Sequence, residues 1–126
     1  MDLTSLLSGW IEKIEKENPP PENISAINFG MLQSDKGFMV YVTGSEIYDA
    51  NDDDWAGEID YQPPRKDKYF LLPREITKGL KWQKVLEVVI VSLKQLSDSN
   101  PSRLLFNNRV ATAGFDDGEL TIIKAS

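Results

Sequence analysis

A chain of 126 residues, 40% apolar and 27% charged, suits one soluble globular domain with a core of ordinary size. It has neither Cys nor His, which excludes disulfides, thiolate nucleophiles and zinc-thiolate sites and removes the commonest general base, leaving carboxylates, Lys, Tyr and Ser/Thr for any catalysis. Against 20 acidic residues stand 14 basic ones, a net charge of −6.

Residues 3–16 carry apolar side chains at 3, 6, 7, 10, 11 and 14, the spacing of an amphipathic helix. Pro19-Pro20-Pro21 withholds amide donors and stops it by Asn18. Segments 24–33 and 38–43 are rich in β-branched and aromatic residues, and Ser34-Asp-Lys-Gly37 between them has turn composition, so a β-hairpin is expected. In its second arm Phe38, Val40 and Val42 point to the core, and Met39, Tyr41 and Thr43 away from it.

The loop after the hairpin, Tyr48-Asp-Ala-Asn-Asp-Asp-Asp-Trp-Ala-Gly-Glu-Ile-Asp-Tyr61, holds Asp49, Asp52, Asp53, Asp54, Glu58 and Asp60 and no Lys or Arg. Those six account for the whole net charge, since without them 14 acids face 14 bases. Such a block stays solvated or meets something positive. Residues 65–84 supply one candidate within the chain: Arg65, Lys66, Lys68, Arg74, Lys78, Lys81 and Lys84 against Asp67 and Glu75.

Tyr69-Phe-Leu-Leu72, closed by Pro73, reads as an edge strand or extended segment. A second helix starts near Thr77 or Gly79 and runs to about Leu96, its apolar stripe formed by Trp82, Leu86, Val89, Leu93 and Leu96 and widened by Val85 and Ile90. Both Trp10 and Trp82 fall on such stripes and are expected in the core. Ser97-Asp-Ser-Asn-Pro101 ends the helix. A short strand is expected over 103–107, then strands 110–115 and 120–124, joined through Asp117-Gly118, the pair favoured in a type I′ turn. Hairpins rather than alternating β-α-β units indicate an α+β fold, an antiparallel sheet with two main helices on one face, in the order α-β-β-(β)-α-β-β.

Laid on a twelve-residue calcium loop, residues 49–60 place Asp49, Asn51 and Asp53 at the first ligand positions. The match then breaks, with Asp54 where Gly is needed and Asp60 where a bidentate Glu is needed. A carboxylate-based hydrolase needs acids converging from separate elements, and these are contiguous. No cofactor is implied. Trp55 either folds back to anchor the loop or stands among the acids as the centre of a docking surface. On the second reading Asp49, Asp52, Asp53, Asp54, Trp55, Glu58 and Asp60 form the binding surface for a basic protein. The acidic balance and the lack of a phosphate-cradling loop or RNA-binding motif argue against nucleic acid. The short aliphatic run Val88-Val89-Ile90-Val91 and the absence of a signal-peptide layout argue against a membrane and suggest a cytosolic chain.

Two motifs, Asp52-Asp-Asp-Trp-Ala56 after a strand and Ala113-Gly-Phe-Asp-Asp-Gly-Glu-Leu120, resemble patterns in small bacterial immunity proteins of polymorphic-toxin and contact-dependent inhibition systems. The resemblance implies a cytosolic antidote that binds a cognate toxin domain, with Asp52, Asp53, Asp54 and Trp55 facing the toxin.

Overall fold

The computed structural model describes residues 2–126. Helix α1, Leu3–Glu17, begins at Asp2, whose side chain accepts from the Thr4 amide, and ends at Asn18 before the prolines. Strands β1, Ala26–Ser34, and β2, Gly37–Ser45, form the expected hairpin, with Gly37 at φ +127°, where a side chain would be strained. One helical turn, α2 (Arg65–Lys68), leads into β3, Tyr69–Leu71, which pairs with β2 as a sheet edge. A further turn, α3 (Arg74–Thr77), precedes the long helix α4, Trp82–Ser99. Strands β4, Val110–Phe115, and β5, Thr121–Lys124, complete a five-stranded sheet of order β3-β2-β1-β4-β5. No helix among the described residues is long and apolar enough to cross a membrane.

The α+β class and the two packed helices are as the sequence indicates, with four differences. First, β4 lies parallel to β1, so the sheet is mixed, although its other pairings are antiparallel. Hairpin signals report neighbours in sequence and say nothing of how the chain returns after α4. Second, α4 starts later than expected because Gly79 adopts φ +77° and breaks the helical path after α3. Third, residues 103–107 form turns rather than a strand. Fourth, the β4–β5 connection is not type I′: the Gly118 amide donates to the Phe115 carbonyl (2.9 Å), and neither Asp117 nor Gly118 has positive φ.

Alternation along the strands sends Ile27, Phe29, Met31, Phe38, Val40, Val42, Ala111 and Ala113 to the face that carries the helices. There they join Leu7, Ile11 and Ile14 of α1 and Val85, Val89 and Leu93 of α4 in one core. Trp10 lies against this core, its ring 6.4 Å from Phe29 and 5.6 Å from Phe70, and donates to the Asp67 carbonyl (2.7 Å). Trp82 does not reach it. As the first residue of α4 it is 49% exposed and stacks edge-on to Phe115 at the rim of the sheet.

Residues outside the regular elements are held by buried polar groups. The Arg109 guanidinium donates to the carbonyls of Ile24 (2.9 Å), Pro21 (2.8 Å), Leu104 and Asn107 (3.3 Å), joining the proline connector to the turns after α4. Burial lowers its pKa from the usual arginine value. Glu15 of α1 binds Arg103 Nε (3.1 Å) and accepts from the Leu105 amide (3.0 Å), fixing the same turns. Replacing Arg109 by Met orphans carbonyls in both connectors. A loss of about 3 kcal/mol or more is expected in urea unfolding, since hydrogen bonds to charged groups contribute about 1.5–3 kcal/mol each.

Candidate functional site

Opposite the helices the sheet has no helical cover, and its residues fall in cross-strand rows. Ser45, Ala26 and Val110 make the first row, Thr43, Asn28 and Thr112 the second, Tyr41, Gly30 and Gly114 the third. The acidic loop covers the first row. It leaves β2 after Ser45 and returns at Tyr61, where the Gly44 amide donates to the Tyr61 carbonyl (2.8 Å) and the Asp60 and Tyr61 amides donate to the Gly44 carbonyl (2.9 and 3.1 Å). The neck is fixed further by the Tyr61 hydroxyl, which donates to the Asn18 carbonyl (2.6 Å). Burial pushes that phenol up to about 12.

Within the loop, Asp53–Gly57 forms a turn of 3-10 helix that carries Trp55 onto the sheet. Trp55 is 5% exposed and packs with Ala26 and Val110, flanked by Tyr48, Ala56 and Leu120, its ring 5.2 Å from that of Tyr48. The anchoring role therefore describes Trp55, and the outward surface of the loop belongs to its acids. The Ser45 hydroxyl reaches the Trp55 carbonyl (3.1 Å) and the Glu58 carbonyl, so the chain is held on both sides of the ring.

All six carboxylates of the loop are exposed. Asp49 accepts from the Asn51 amide (2.9 Å), Asp52 caps the 3-10 turn through the Asp54 amide (2.9 Å), and Asp60 accepts from the Glu46 amide (2.9 Å). Asp53 reaches across to the Leu120 amide (3.1 Å), tying the loop to the β4–β5 connection. Two of the residues aligned with calcium-ligand positions, Asp49 and Asp53, thus serve backbone amides. Among the described residues no three acids are grouped as a metal would require.

The adjacent basic segment does not neutralise the loop. Among the described residues the ion pairs are Lys13–Asp67 (3.1 Å), Lys84–Glu87 (3.3 Å) and Arg103–Glu15 (3.1 Å), and none uses an acid of 49–60. Lys68 donates to Gln62 (2.7 Å) and lies over the Tyr41 and Tyr69 rings, while Asp67 is buried against α1. The two charge blocks lie next to each other in sequence, yet no ion pair joins them among the described residues.

Between the loop and the β4–β5 connection lies a groove of about 530 Å³, floored by Asn28, Thr43, Tyr41 and Gly114, with Asp53, Asp54 and Ile59 on one side and Asp116 and Asp117 on the other. Reading the acidic loop in isolation misses Asp116 and Asp117, which resemble ordinary turn chemistry in sequence. Tyr41 closes one end: its ring covers Gly30, and its hydroxyl donates to Asp116. Burial first, and then the Asp116 hydrogen bond, hold this phenol well above the ordinary tyrosine pKa. Compared with protein-family models, curated proteins and solved structures, the chain matches none.

A β-carbon at position 30 would stand 2.1 Å from Tyr41 Cζ. Gly30→Ala is therefore expected to swing Tyr41 off the sheet, break its bond to Asp116 and lower urea stability by about 1–3 kcal/mol, as overpacking does. A second outcome concerns alkaline pH. Because Tyr61 ionises less readily folded than unfolded, its contribution is complete below about pH 10, the ordinary tyrosine pKa, and is lost as pH rises through about 12. Tyr61→Phe should lower stability at neutral pH by about 1 kcal/mol, the worth of one hydrogen bond, and flatten the alkaline decline in denaturation midpoints.

Proposed function

We propose that this chain is a non-enzymatic protein-binding module whose partner is a basic protein, met through the acidic surface of residues 49–60. The observation that carries this reading is the exposure of all six loop carboxylates with no cation of the chain paired to them among the described residues. A patch of that kind is costly in self-repulsion and gains from an opposite charge arriving from outside. It also steers a basic partner and speeds association. The anchored frame supports the same reading, because the Trp55 plug and the Gly44–Tyr61 neck hold the acids in place before the partner arrives, which reduces the ordering cost of binding.

The finer reading is a bacterial cytosolic immunity protein that neutralises a cognate toxin domain. It rests on the resemblance of Asp52-Asp-Asp-Trp-Ala56 and the 113–120 motif to such proteins. On it, Asp49, Asp52, Asp53, Asp54, Glu58 and Asp60 contact the toxin, and Trp55 acts from beneath by holding the loop. The lack of His and Cys fits a role that blocks rather than performs chemistry.

The test is binding to a basic candidate, first the C-terminal toxin domain of a neighbouring gene if one is present, by titration calorimetry at two salt concentrations. The variant Asp52→Asn/Asp53→Asn/Asp54→Asn should bind at least about tenfold more weakly at low salt, with a shallower salt dependence, because rim charges act mainly through long-range attraction. Equal affinity and equal salt dependence would remove the loop from the interface.

A further inference from the structure

The second row of the uncovered sheet face is unusual in being polar and nearly buried. Asn28 is 6% exposed and Thr43 2%, both in central strands and both lining the groove. One end of the Asn28 amide is taken: Oδ1 accepts from Thr112 Oγ1 (2.9 Å). The other end, Nδ2, meets no acceptor among the described residues, and neither does the Thr43 hydroxyl. Neither atom is sealed in; the buried side-chain atom left without a partner is Asp67 Oδ2, beside Lys13. Polar groups at this depth ordinarily have partners, and an apolar pair would have packed the row more cheaply.

The surroundings of that floor define what fits it. In the next row Gly30 and Gly114, paired across β1 and β4, let Tyr41 and the Glu119 backbone lie close over the sheet, which bounds the floor on that side. Tyr41 closes one end, its ring on Gly30 and under the Lys68 ammonium, and Asp54, Asp116 and Asp117 stand exposed at the rim with no ion pair to a cation of the chain among the described residues. A volume of about 530 Å³ lies inside the usual range for ligand pockets, about 300–1,000 Å³, and admits a short extended segment rather than a folded element.

We infer that this groove receives an extended, arginine-bearing segment of the basic partner: a backbone carbonyl of the segment accepts from Asn28 Nδ2, and the guanidinium lies against the Asp54, Asp116 and Asp117 rim. Arginine rather than lysine suits the site because a planar guanidinium bonds carboxylates through two parallel N–H groups. The inference rests on the basic-partner reading and narrows it, since it moves the centre of the interface from the outer loop to the space between the loop and the β4–β5 turn.

The experiment follows the amide and Asn side-chain signals of the isotope-labelled full chain by NMR during titration with acetyl-Gly-Arg-Gly-Arg-Gly-amide. The same peptide with Lys, and with the neutral isostere citrulline, for Arg serve as controls. Saturable shifts at the Asn28 side-chain amide, Gly30 and Gly114 are expected, with binding several-fold tighter for Arg than for Lys and absent for citrulline. Asp116→Asn/Asp117→Asn, which keeps the shape of the turn, should weaken the Arg peptide about tenfold, as loss of charge-assisted contacts does. Asn28→Ser, which shortens the floor donor, should weaken it while leaving shifts at residues 49–54 in place. If the shifts stay on residues 49–60 and the Asn28 amide is silent, or if Lys binds as well as Arg, the groove assignment fails and the basic-partner reading survives. If no cationic peptide shifts any signal, both fall.

Discussion

The two long helices cover one face of the five-stranded sheet, and most of the buried large apolar side chains lie on that face. Leu7, Ile11, Ile14, Val85, Val89 and Leu93 meet Phe29, Met31, Val40 and Val42 there. The opposite face must therefore be finished with what is left. Trp55 closes the first row over Ala26 and Val110, and Tyr41 lies across Gly30 in the third. Between them the row of Thr43, Asn28 and Thr112 remains polar. The path of the acidic loop, the groove beside it and the outward direction of its acids follow from that division, because a loop plugged from below by an aromatic ring turns its remaining side chains to water.

Charge and backbone chemistry are coupled in the loop. Asp49, Asp52, Asp53 and Asp60 each hold a backbone amide, so part of their mutual repulsion is offset by turns and caps that an uncharged isostere could also form. Charge and shape are therefore separable here, and replacing Asp by Asn removes one while keeping much of the other. The cations of 65–84 are engaged elsewhere or in solvent; Lys68 sits over two tyrosine rings and Lys84 pairs within its own helix.

The helices, the first hairpin and the edge strand at Tyr69 are legible in the sequence because their signals are periodic and local. What was not legible depends on distant partners. Nothing near Val110 announces that it will lie parallel to Ala26 rather than beside a strand formed by 103–107. Trp82 has helical spacing, yet it is the first residue of its helix and projects past the core, so spacing alone misplaces it. The Asp117-Gly118 pair carries a strong hairpin signal, but the longer connection reaches over Gly114, whose β-carbon position lies 2.5 Å from the Glu119 carbonyl, and makes an ordinary turn instead. In the candidate site, the loop acids stood out by their density. The groove floor did not, although an Asn amid Ile27, Phe29 and Met31 is a signal of its own: a polar residue in a buried strand needs a partner.

The parallel contact between β1 and β4 joins positions 84 residues apart, as the bond from Thr112 to Asn28 records. Closing so long a segment costs conformational entropy before it returns any contact, which slows folding. During synthesis the strand that occupies the other edge of β1 follows it by 84 residues. At about 5–20 residues per second this leaves the inner edge of β1 unpaired for several seconds. For that interval the apolar side of Ile27, Phe29 and Met31 and an open row of amides face the cell together, so the same topology that builds the groove makes the nascent chain a candidate for chaperone capture.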